Sequence, residues 1–117
     1  MQLLAQQIAA SPADTEREDL AYVHIHATDG YVLSLARAAE SDLVEVMVVD
    51  QLNHKTNLVH ARLTRQQLQI SVPASVASQL DGHCAYEVLL NERGDVSELH
   101  QALSAIFAGV GTYEHSL

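Results

Sequence analysis

Leu20-Ala21-Tyr22-Val23-His24-Ile25-His26-Ala27-Thr28-Asp29-Gly30-Tyr31-Val32-Leu33-Ser34-Leu35-Ala36-Arg37 is the stretch whose reading decides the fold class. From Leu20 to Ala27 the apolar residues Val23, Ile25 and Ala27 alternate with Tyr22, His24 and His26. Successive side chains of a strand point to opposite faces, so this period of two reads as a half-buried strand. Thr28-Asp29-Gly30 is a turn signal, because Asp-Gly tolerates positive φ. Tyr31 to Arg37 then reads as the returning strand of a hairpin.

Outward from the hairpin, strand signals dominate. Leu43 to Asp50 is β-branched and nearly continuous, as expected of a more central strand. Gln51 to Asn57 is polar and reads as a turn-rich connection, and Leu58 to Thr64 as another strand. In Gln67 to Val72, Leu68, Ile70 and Val72 alternate with Gln67, Gln69 and Ser71, and Pro73 ends the run. Residues 73–80 read as a short helix, with Pro near its start where a missing N–H is harmless. Residues 83–90 alternate again, with Cys84, Tyr86, Val88 and Leu90 on one face. Residues 1–10 read as a short strand or a helical turn, broken by Ser11-Pro12.

The C-terminal element is the best punctuated. Asp95 stands where an N-cap belongs, with Glu98 three residues on, which resembles a capping box. Leu99, Leu103, Ile106, Phe107 and Val110 fall on one helical stripe, and Gly109 supplies a stop. Strands followed by a terminal helix predict a single α+β domain over residues 1–117. The expected architecture is a largely antiparallel sheet with the C-terminal helix packed on one face, since strands without long crossovers do not easily pair in parallel. Residues 112–117 are expected to be a loose tail, and an edge strand at 67–72 could pair across a homodimer.

Composition narrows the function. Fifteen acidic residues against six basic ones give a formal net charge of −9. That balance repels nucleic acid and anionic membranes, and it suits a basic protein partner. Cys84 is the single cysteine, so no intrachain disulfide can form, and a reducing cytoplasm is the expected location. The N-terminus shows no signal-peptide pattern, and no apolar run approaches the ~20 residues that span a bilayer.

Chemical motifs are scarce. There is no G-x-S-x-G elbow, no phosphate loop and no dinucleotide fingerprint. Cys84 reads as a small buried hydrophobe rather than a nucleophile. His24 and His26 share a strand face, as metal-binding imidazoles do, and a third ligand would have to come from His60, His83 or Glu45. Their alternation with Val23 and Ile25 equally fits a solvated strand face, so neither metal nor cofactor is expected. The expected partner-binding residues are the acidic Asp14, Glu16, Glu18 and Asp19, together with Tyr22, His24, His26 and Tyr31 on the adjoining hairpin.

Four stretches carry a family resemblance: Gly30-Tyr31-Val32-Leu33-Ser34-Leu35-Ala36-Arg37-Ala38; Val48-Val49-Asp50-Gln51; Ala61-Arg62-Leu63-Thr64-Arg65-Gln66-Gln67-Leu68-Gln69-Ile70; and Glu98-Leu99-His100-Gln101-Ala102-Leu103-Ser104-Ala105-Ile106-Phe107. In these the chain resembles the immunity protein 10 family of bacterial polymorphic toxin systems, over residues 20–110. The resemblance implies a cytoplasmic antidote, not an enzyme, that neutralises a cognate toxin by direct contact. A basic toxin would match the acidic charge. Two other readings stand beside it. The size, acidity and Leu-rich start also fit a type III secretion chaperone, which binds an effector as a dimer. A metal-dependent binder or enzyme could be built on His24 and His26.

Overall fold

The computed structural model describes residues 1–12, 20–38, 41–49, 52–90 and 96–116. Among these, the elements in chain order are β1 (Gln2–Ser11), β2 (Leu20–Ala27), β3 (Val32–Ala38), β4 (Val44–Val48), β5 (Leu52–Thr56), β6 (His60–Thr64), β7 (Gln67–Ser71), α1 (Ala74–Ala77), β8 (Ala85–Leu89), α2 (Ser97–Ile106) and β9 (Thr112–Ser116). The strands form one mixed sheet in the order β5-β4-β3-β2-β1-β8-β7-β6-β9. The domain is thus α+β and dominated by strands, as the alternating patterns require.

The β2–β3 hairpin forms where the sequence places it. Val23 pairs with Leu35 and Ile25 with Leu33, all four buried. Gly30, at φ +89°, donates its N–H to the Ala27 carbonyl and closes the turn. β1 to β5 continue as an antiparallel meander.

The sheet is not wholly antiparallel. β1 pairs in parallel with β8 through Gln2–Glu87, Leu3–Val88 and Leu4–Leu89, and β6 pairs in parallel with β9. The intervening chain supplies the crossovers: each parallel pair joins strands with several other elements between them. The alternation of β1 changes phase where its register with β2 shifts, between Ala5 and Gln7. Leu3 and Ala5 are buried before the shift; after it, Ile8 and Ala10 pack against the core. A bulge of this kind adds one residue to a strand and reverses which face its side chains take. β1, the middle strand of the sheet, thereby serves one core from both of its edges.

Several expectations change. The polar stretch at 51–57 contains strand β5, which forms one edge of the sheet, and β4 lies next to that edge. The strand at 67–72 is interior, between β6 and β8, because both of its edges find partners, so it offers no free edge for a dimer. The tail is not loose over Thr112–Ser116, where β9 pairs with β6. Cys84 is exposed, since the strand begins only at Ala85 and the alternation does not extend back to it. The short helix is one turn, Ala74–Ala77, with Pro73 as its N-cap residue.

α2 lies against β1 and β2 and reaches β3 and β9. Leu99, Ala102, Leu103 and Ile106 are buried along its stripe, continued by Phe107 and Val110. Asp95 lies outside the described residues; Val96 occupies the N-cap position, without a side-chain cap. The C-terminus is held by Arg37 at the end of β3. Its guanidinium donates to the Ile106 carbonyl at 3.2 Å, to the Ala108 carbonyl, and to Ser41 O at 2.9 Å. A cation on the last carbonyls also opposes the negative end of the helix dipole. Among the described residues no helix is long and apolar enough to cross a membrane.

Candidate functional site

The side of β2 away from Val23, Ile25 and Ala27 carries Tyr22, His24 and His26. Strand register extends this side into rows across the sheet. One row runs Ala9, His24, Ser34, Met47, Asn53; the next runs Ser11, Tyr22, Ala36, Glu45, Lys55. Small residues stand at the middle of both rows. The result is a groove of about 350 Å³ with Ala9, Ser34 and Ala36 among its lining and Tyr22, His24, Glu45 and Met47 beside them. Its lining surface is almost wholly apolar, and the polar Asn53 and Lys55 stand beyond it at the β5 end of the two rows.

A chain of polar contacts borders the groove. Ser34, buried at 8% exposure, meets His24 Nδ1 through its hydroxyl. His24 Nε2 lies 2.9 Å from His26 Nε2, and the two rings meet edge to face at 4.7 Å. One imidazole must therefore donate and the other accept. The order Ser–His–His has the connectivity of a nucleophile, a base and an orienting group. Acyl transfer further requires donors aimed at a developing oxyanion. The N–H groups of β2 and β3 lie instead in the sheet, committed to their ladders. The arrangement can hold a proton and present donors to a ligand.

Tyr31 lies elsewhere. It is bonded through its hydroxyl to Asp81, whose other oxygen accepts from Tyr86 at 2.7 Å. Burial pushes both phenols well above their ordinary range, and the hydrogen bonds to Asp81 add to the effect. For Asp81, burial is the largest influence and acts upward. The two phenols and neighbouring His83 outweigh it and hold the carboxyl below its usual range. Tyr31 is therefore part of a structural tie between the β2–β3 hairpin and the α1–β8 connection, and it packs against the core rather than on the side of β2 that carries Tyr22, His24 and His26. Asp14, Glu16, Glu18 and Asp19 lie outside the described residues. The residues that flank them are Pro12, next to Ser11, and Leu20; Ser11 pairs with Tyr22 at this end of the groove.

Two further clusters were not anticipated. His100 Nδ1 meets the Tyr113 hydroxyl at 2.8 Å, with the His115 ring 4.4 Å from that of His100 and Phe107 stacked on Tyr113. Burial raises the Tyr113 phenol to about 12. A larger cavity, about 620 Å³, is bordered by Asn57–His60, Ser71–Pro73 and Gly109–Thr112, with Asp42 and His60 as its ionisable residues. Among the described residues no three His, Cys, Asp or Glu side chains gather into a metal-holding group. His60 lies on β6 in the other half of the sheet, His83 lies in the connection before β8, and Glu45 falls in the row of Tyr22 rather than that of His24. Comparisons of the chain with protein-family models, curated proteins and solved structures find no match.

Proposed function

We propose that this chain is a protein-binding domain of the immunity type, acting in the cytoplasm, which neutralises a basic toxin by direct contact rather than by catalysis. The groove on β2–β4 is the observation that carries the reading. A half-buried tyrosine, a methionine and an imidazole surround small residues, which leaves room for a partner's protruding side chain. Tyrosine is among the residue types enriched at interface hot spots. α2 contacts β1 and β2, and the side of β2 that carries Tyr22 and His24 is the side proposed to meet the partner. The formal charge of −9 would steer a cationic toxin toward it. The family resemblance through residues 30–38, 48–51, 61–70 and 98–107 supplies the antidote role.

The test is titration of the purified domain against the product of the neighbouring toxin gene. Binding at micromolar concentration or tighter, weakened at least about tenfold by Tyr22→Ala, is expected, since truncating a hot-spot residue costs about 2 kcal/mol or more. No association at that concentration would overturn the reading. Binding unaffected by Tyr22→Ala and Met47→Ala would move the interface off this face.

A further inference from the structure

The two imidazoles on β2 have a geometry that their hydrogen bond does not exhaust. His24 and His26 are two residues apart on one strand, so their side chains leave the sheet on the same side. Their Nε2 atoms are 2.9 Å apart, with His26 exposed and His24 half-buried. Imidazole nitrogens bind transition metals at about 2.0–2.1 Å. The 2.9 Å spacing is that of a hydrogen bond, so a modest turn of the exposed His26 ring aims both nitrogens at one ion. Imidazole suits Ni2+, Cu2+ and Zn2+, and of these a nitrogen-donor site holds Cu2+ most tightly.

The support around the pair also matches. A ligating histidine ordinarily has its other ring nitrogen held by a polar neighbour, which fixes the ring and its tautomer. The Ser34 hydroxyl does this at His24 Nδ1 and is itself buried on β3. Register places Ser34 directly opposite His24, so the brace is set by the backbone ladder. An ion held by both Nε2 atoms takes the place of the single proton they share, which moves to the Nδ1 of the ring that carried it. The acidic charge of the chain favours the approach of a cation.

We infer that His24 and His26 form a two-histidine clip for a divalent late-transition-metal ion, braced by Ser34 and with its remaining coordination positions open. No third His, Cys, Asp or Glu among the described residues completes the site. Water fills those positions in the isolated domain, and a donor from a bound protein could take one of them. The clip does not depend on the toxin-binding reading, because it concerns the isolated chain.

The experiment is calorimetric titration of the full chain with Cu2+ and, separately, Ni2+ at neutral pH, with electron paramagnetic resonance of the Cu2+ form. One equivalent should bind with two in-plane nitrogens. His24→Gln and His26→Gln should each weaken that binding at least about tenfold and leave one in-plane nitrogen. Ser34→Ala should weaken it about 10-fold while keeping both nitrogens, as loss of an outer-shell partner does. His115→Gln, in the other histidine cluster, should change nothing. Circular dichroism of each variant establishes that it is folded; the exposed His26 makes His26→Gln the variant least disruptive to packing. Binding that survives both His24→Gln and His26→Gln, or that is only millimolar and shared among the histidines, would overturn the inference.

Discussion

Replacing Tyr31 with Phe removes one hydroxyl and keeps the ring. That hydroxyl bonds to a carboxylate fifty positions away in sequence, at Asp81. Hydrogen bonds to charged groups contribute about 1.5–3 kcal/mol, and partial exposure of the pair places this one at the lower end. Tyr31→Phe should therefore cost about 1.5 kcal/mol at neutral pH, a fall in Tm of roughly 6 °C for a chain of this size. The pH dependence has a definite sign. Asp81 is held below its usual range in the folded state. Its contribution is complete above the unfolded carboxylate value of about 3.9 and is lost as pH falls through the lower folded value. The cost of Tyr31→Phe should shrink in the same window. Urea unfolding of the parent, Tyr31→Phe, Asp81→Asn and the double variant, at pH 7 and near pH 3, measures this. Coupling between the two sites should be about 1 kcal/mol at pH 7 and smaller near pH 3, where the carboxylate begins to protonate. An equal loss at both pH values, or additivity at pH 7 within about 0.3 kcal/mol, would refute the assignment.

Other positions give sharper contrasts. A Cβ at Gly111 would stand 2.6 Å from the Val59 carbonyl and 3.0 Å from the Phe107 ring, at φ +62°, whereas one at Gly109, at φ +75°, would meet nothing. Gly111→Ala should thus cost about 3 kcal/mol and Gly109→Ala about 1–2 kcal/mol in urea unfolding; equal costs would refute the close approach. Val49 sits at φ +47°, a region that β-branched residues avoid. Val49→Gly should raise stability by about 1 kcal/mol, and a loss would show that its side chain contributes more than the backbone penalty. Arg37→Met keeps the aliphatic stem but removes the donors to the Ile106 and Ala108 carbonyls. It should cost about 2 kcal/mol and speed amide exchange in the last turn of α2; unchanged exchange there would count against the capping role.

The β2–β3 hairpin and the α2 stripe were legible in the sequence because each is defined by its own periodicity and ends on local turn or stop residues. β5 and β9 were not. An edge strand has a neighbour on one side only, and β5 buries just Thr56, so it has the composition of a loop. β1 was ambiguous because the register shift before Gln7 breaks its alternation in the middle. The parallel pairings have no local signature, since Gln2 meets Glu87 only through the fold. At the candidate site the same division holds. Tyr22, His24 and His26 share a strand, and their common side follows from parity. Ser34, Ala36, Glu45 and Met47 join them through register across β3 and β4, which no single strand encodes. Tyr31 is close to them in sequence, but its position just after the turn directs it to Asp81.

The central place of β1 has a kinetic consequence. Residues 5–11 of β1 can pair with β2 as soon as the first hairpin is made, because the contact is local. Its opposite edge, at Gln2 to Leu4, waits for Glu87 to Leu89. Pairings of such separation carry a high loop-closure cost and form late. During synthesis the meander would therefore stand with a hydrogen-bonding edge uncovered until Glu87 to Leu89 have emerged. In that interval the unpaired N-terminal residues of β1 are the place most open to capture by a neighbouring chain.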